Sequence, residues 1–138
     1  MRLVGISVAF LCGLLATASG QQSKPDFSGK WQSADSSGKA VTLAIEQKNG
    51  SIHMVRKSQS GGKESVIEFN CTTDGKDCEA AGTKVSLWYD GTSLVEMDVS
   101  DASVSTTKLT LDTPTSMSVA VTWMSPKADK ENFVLRKM

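Results

Sequence analysis

Asp26-Phe27-Ser28-Gly29-Lys30-Trp31 is the stretch that decides the fold. A glycine followed by a tryptophan opens a chain in which turn signals then recur at short intervals: Asn49-Gly50, Ser60-Gly61-Gly62, Asp74-Gly75, Asp90-Gly91, the region of Asp101, Thr113-Pro114 and Pro126. Between them run segments rich in Val, Ile, Thr and aromatics, with the period-two alternation of half-buried strands. Val41, Leu43 and Ile45 alternate with Thr42, Ala44 and Glu46, and Val85, Leu87 and Tyr89 with Lys84, Ser86 and Trp88. Met117, Val119, Val121 and Trp123 alternate with Ser116, Ser118, Ala120 and Thr122. Strands are predicted at 29–35, 41–47, 51–59, 64–72, 83–89, 93–100, 105–112, 116–125 and 131–137. No segment after residue 20 sustains a helical period.

About eight or nine antiparallel strands joined by hairpins leave two unpaired sheet edges. Curling the sheet until its last strand meets its first removes both, and at this strand number the interior holds side chains or one small ligand. A two-sheet sandwich is the competing solution, but sandwiches need at least one long crossing connection, and short sequential hairpins favour the meander. The expected fold is therefore all-β: an antiparallel up-and-down meander closed into an eight- to nine-stranded barrel.

Residues 1–20 read as an export signal rather than as part of the fold. Arg2 supplies a positive start, Leu3 to Leu15 form an apolar run too short to span a bilayer, and Ala16, Ala18 and Gly20 suit a signal peptidase. Cys12 sits mid-run behind the bulky Phe10 and Leu11, where a lipid-attachment signal needs small residues. The expected organisation is a signal peptide at 1–20 and one barrel domain at 21–138, exported to a periplasmic or extracellular space. The whole chain carries 15 basic and 15 acidic groups, and losing the leader removes only Arg2. Such balance gives no footprint for nucleic acid or an anionic membrane.

Two cysteines remain beyond the leader, Cys71 and Cys78, and an even count in an exported chain favours pairing. The Asp74-Gly75 turn between them brings their backbones back toward one another. Closing so short a loop stabilises by about 2.5 kcal/mol on a chain-entropy argument. A structural staple is expected, because catalytic pairs sit as Cys-x-x-Cys at a helix start.

Catalytic motifs are missing. His53, the only histidine, lies mid-strand beside Met54 and Val55 and reads as a half-exposed strand residue. One imidazole cannot build a multi-histidine metal site, so no metal or other cofactor is expected. Glu96, Asp98 and Asp101 lack the spacing of a calcium loop. Because Glu96 and Asp98 lie opposite Val95, Met97 and Val99, solvent is their expected destination. Gly91-Thr92-Ser93-Leu94-Val95 is a hairpin turn rather than a nucleophile elbow, and Gly61-Gly62 lacks the frame of a phosphate loop. The sequons at Asn49 and Asn70 matter only in a host that glycosylates. No enzyme is expected.

Phe27-Ser28-Gly29-Lys30-Trp31 resembles the opening of the calycins, the superfamily of lipocalins and avidins. The chain as a whole is similar to short exported bacterial proteins of lipocalin-like kind. Tyr89-Asp90-Gly91-Thr92-Ser93-Leu94-Val95 matches their aromatic-Asp-Gly-x-x-Leu-Val hairpin. The resemblance implies a tryptophan plug at the closed end of a barrel, covered by a basic residue of the final strand, here Arg136. Strict alternation nevertheless turns Arg136 outward if Phe133 and Leu135 face in, so that pairing needs a bulge or the opposite facing. The biotin-site residues of avidins have no counterpart here.

The same resemblance implies a small apolar or amphipathic ligand in the interior. Candidate ligand contacts are Trp31, Met54, Phe69, Leu87, Tyr89 and Trp123, with Ile67, Met97, Val121 and Phe133 on the same inward face. Two readings stay open: a pocket, making the protein a binding module, or a filled core with an exposed apolar patch around Trp88, making it a structural or interaction domain.

Overall fold

A computed structural model describes residues 24–33 and 39–138. The leader assigned to residues 1–20, with Cys12, lies outside the described residues. Ten strands follow one another: β1 (Gly29–Ser33), β2 (Lys39–Lys48), β3 (Ser51–Ser60), β4 (Lys63–Thr72), β5 (Cys78–Ala80), β6 (Thr83–Asp90), β7 (Ser93–Val99), β8 (Val104–Thr113), β9 (Ser116–Ser125) and β10 (Asp129–Lys137). No helix occurs among the described residues. Nine of the ten fall on predicted strands. The tenth, β5, is three residues long and carries no alternation from which a strand could be read.

All ten belong to one antiparallel sheet, in the order β4-β3-β2-β1-β10-β9-β8-β7-β6-β5. Nearly every neighbour in the sheet is also a neighbour in sequence, as two-residue turns dictate. Gly50 and Gly91 supply the positive φ such turns demand, at 74° and 64°. The one non-sequential pair joins the ends of the chain, with Trp31 opposite Lys137, Gln32 opposite Arg136 and Ser33 opposite Leu135. The first and last strands therefore meet as anticipated, and the barrel is nearly closed.

Its seam lies instead between β4 and β5, which no ladder joins. One end of the seam is tied. Cys71 and Cys78 are disulfide-bonded with Cα atoms 5.6 Å apart. The Gly75 N–H donates to the Leu87 carbonyl at 2.8 Å, and an isolated bridge pairs Asp74 with Trp88. The short Cys-loop thus fastens two edges that lack partners.

Side chains fill the two halves of the interior differently. Toward the Trp31 end, Phe27, Trp31, Ile45, Ile52, Met54, Phe69, Leu87, Leu94, Met117 and Leu135 are all buried in one cluster. The Trp31 indole N–H donates to the Phe27 carbonyl at 3.0 Å. The Gln47 side chain fastens the incoming segment, accepting from the Phe27 N–H at 2.9 Å and donating to the Pro25 carbonyl at 3.0 Å. Toward the other end, Val41, Ile67, Val121 and Phe133 are only partly buried. The choice between packed core and pocket is settled by position: one half is filled and the other is not.

Alternation along β10 holds. Leu135 is buried and Arg136 is exposed. The basic residue over Trp31 is Lys137, in phase with Phe133 and Leu135, with Nζ 5.5 Å from the indole centre. No bulge is needed, because the cover comes from one residue further along the strand.

Candidate functional site

The unfilled half of the barrel contains a cavity of about 590 Å³. Its apolar wall includes Val41, Leu43, Met54, Ile67, Leu109, Val119, Val121, Trp123 and Phe133. Its polar wall includes Arg56, Glu96, Asp98, Glu131, Ser105 and Thr107. Apolar lining with a few convergent polar groups, at this volume, is the usual make-up of a small-molecule site.

Of the six ligand contacts predicted from sequence, Met54 and Trp123 line this cavity. Trp31, Phe69 and Leu87 sit in the packed half and do not line it. Tyr89, in phase with Leu87, is partly buried against the packed cluster and does not line the cavity; its hydroxyl accepts from Gln47 Nε2 at 3.1 Å and Lys24 stands 4.9 Å over its ring. Burial, and then the charge of Asp26, raise the Tyr89 phenol above its ordinary range. Of the other inward residues predicted, Ile67, Val121 and Phe133 line the cavity. Trp88 faces outward as expected, half-buried and opposite Val95. His53 is half-exposed as expected, with Nε2 2.8 Å from Glu68 Oε2.

The facing of β7 corrects the sequence reading. Glu96 and Asp98 point into the barrel, Glu96 only 1% exposed, while Met97 shares the outer face with Val95 and Val99. Two facts set this phase. The two-residue turn at Gly91 fixes the register of β7 on β6, and Leu94 is fully buried on the face that it shares with Glu96 and Asp98. Val95 is screened from solvent between its cross-strand partners Trp88 and Lys108. Both faces of β7 carry apolar residues, so alternation alone chose the wrong one.

What makes inward carboxylates tolerable is Arg56, on β3 in phase with the buried Ile52 and Met54. Its Nη1 donates to both Glu96 oxygens at 3.2 and 3.1 Å, and its Nη2 donates to Asp98 Oδ2 at 3.2 Å. The Arg56 and Asp98 side chains are 24% and 15% exposed, so all three groups are largely withdrawn from water. β3 and β7 are not neighbours in the sheet, and the cluster bridges the barrel interior. Burial pushes Glu96 up, to about 8, and the hydrogen bond and charge of Asp98 push the same way, while Arg56 pulls down. Burial also works to lower the Arg56 pKa, but the two carboxylates outweigh it and hold the guanidinium charged.

A stability consequence follows from Glu96. Its carboxyl titrates near 4.5 when unfolded and near 8 when folded, so between those values the folded protein binds the extra proton. The stabilisation is complete below the lower value and declines as pH rises through the upper one. Thermal melts at about pH 5 and about pH 8.5 are expected to show a loss for the native protein that Glu96→Gln reduces. Equal losses in both proteins would contradict the assignment.

Comparison with known proteins bears on the fold. No family model and no curated protein sequence matches the chain. Among solved structures, it is similar to wild-type fluorescent protein UnaG at 20% identity and a TM-score of 0.57, covering 81% of this chain and 97% of that one. A point variant of UnaG gives 17% identity and a TM-score of 0.59, covering 81% and 96%. At such identity the likeness speaks for architecture alone, and it supports the antiparallel β-barrel anticipated from the sequence.

Proposed function

We propose that the protein is an exported, non-enzymatic binding module of lipocalin-like kind that holds one small apolar or amphipathic molecule in the open half of its barrel. The observation that carries this reading is the division of the interior. A fully packed half supplies stability, and a cavity of about 590 Å³ remains where packing stops. Close-packed interiors leave few voids larger than a water molecule, so a space of this size with charged groups on its wall needs an explanation beyond folding. The Cys71–Cys78 bond and the leader-like first twenty residues are consistent with export to an oxidising compartment. The competing reading, an interaction domain with a filled core, is favoured by the packed half of the barrel but leaves the cavity without a role.

Nile red, an uncharged apolar fluorophore, tests the reading. Saturable one-to-one enhancement is expected with the native protein. Val121→Trp places a large ring in the cavity and is expected to weaken binding by roughly tenfold or more with little loss of stability. Equal binding by native protein and variant would place the probe elsewhere.

A further inference from the structure

Arg56 is already engaged. Its two terminal nitrogens contact three carboxylate oxygens of the protein itself. One guanidinium faces Glu96 and Asp98 within the cluster, and Glu131 on β10 lines the same cavity. An anionic head entering here would meet a neutralised arginine flanked by carboxylates, where like charges repel strongly for want of water. Asp98 also presents a surplus acceptor once Glu96 is ionised, since its buried Oδ1 then has no hydrogen-bond partner among the described residues. A buried, unmatched carboxylate oxygen is costly and calls for a donor. Trp123 and Phe133 add aromatic surface to the same wall, which suits an apolar body.

We propose that the cavity selects amphipathic molecules whose buried head is a cationic amine, its N–H donating to Asp98 Oδ1 and its apolar body lying against Val121, Trp123 and Phe133. The proposal rests on the binding reading above and names the chemistry of that site's ligand. It carries a proton linkage. In the empty barrel the proton on Glu96 offsets the second carboxylate, and an ammonium group takes over that role when bound, releasing the proton to solvent. The charged groups facing Glu96 in the cavity are Arg56 from β3, Asp98 from its own strand and Glu131 from β10. Its neighbours in the ladders, Leu87 on β6 and Thr107 on β8, do not titrate.

Calorimetric titration with octylamine, octanol and octanoate, three probes with one apolar body and different heads, tests this on the full protein. Octylamine is expected to bind most tightly and octanoate least. Its affinity is expected to rise roughly tenfold between about pH 7 and about pH 8.5, as Glu96 gives up its proton. Asp98→Asn is expected to weaken octylamine roughly 10- to 100-fold and leave octanol nearly unchanged. Octanol or octanoate binding as tightly as octylamine would overturn the amine assignment while the binding reading stands. Failure of all three, together with Nile red, would remove the binding reading itself. The ranking in the native protein needs no variant, so a poorly folding Asp98→Asn does not rescue the proposal.

Discussion

Arg56→Met is expected to destabilise the barrel by about 3–5 kcal/mol near pH 8, because it leaves the Asp98 carboxylate and the buried Glu96 carboxyl without their cation. For a domain of this size the thermal midpoint falls by roughly 10–20 °C. The loss shrinks as the pH is lowered below about 8, where Glu96 holds its proton and adds no second buried charge. That recovery runs opposite to ordinary acid denaturation, and a variant whose deficit stays constant with pH would place the carboxylates in water. The companion variant is as informative. Replacing Arg56, Glu96 and Asp98 together with Met, Leu and Leu is expected to restore most of the stability, since buried ion clusters contribute little beyond what apolar packing supplies. That outcome, a cluster deleted whole at small cost but not in part, would favour the proposed binding role over a structural one.

The second large effect concerns the other end of the barrel. Trp31→Ala removes a fully buried side chain, its hydrogen bond to the Phe27 carbonyl and the surface beneath Lys137. Large-to-small changes of this kind cost about 3–5 kcal/mol. Trp31→Phe keeps most of the volume and leaves the Phe27 carbonyl unpaired, so about 1–3 kcal/mol is expected. Urea unfolding of the three proteins gives the order directly. Trp88→Ala, on the outer face, is the control: a Trp31→Ala loss no larger than that of Trp88→Ala would deny Trp31 its role as plug. Nile red binding should survive Trp31→Phe, because Trp31 does not line the cavity.

The parts of this molecule that were legible in its sequence are those governed by local rules. Hairpin turns at Asn49-Gly50 and Asp90-Gly91, and alternation in β2, β6 and β9, placed the long strands and their inward faces. The meeting of β1 with β10 followed from the need to satisfy two edges. Features that depend on a distant partner were harder to see. β5 is a strand only because β6 pairs with Cys78–Ala80, and the seam beside it is set by the Cys71–Cys78 tie rather than by the chain ends. Lys137 rather than Arg136 covers Trp31 because strict alternation puts Lys137, not Arg136, in phase with the buried Leu135.

The cavity was the least legible of all. The inward phase of Met54 and Trp123 is what puts them on its wall, but the charged cluster has no such local sign, since a carboxylate facing an apolar interior makes sense only with Arg56 some forty positions earlier in the chain. A signal existed. Arg56 falls in phase with Ile52 and Met54, and Glu96 falls in phase with Leu94. Charges of opposite sign on the apolar phase of two strands point to each other across a barrel, and neither strand reveals it alone.

Native mass spectrometry of the protein taken from its own host is the most direct test of a barrel built to hold something. A single added species of small-molecule mass is expected on the native protein, lost from Val121→Trp. The bare polypeptide mass alone, from native protein that also fails to take up Nile red or octylamine, would contradict the account.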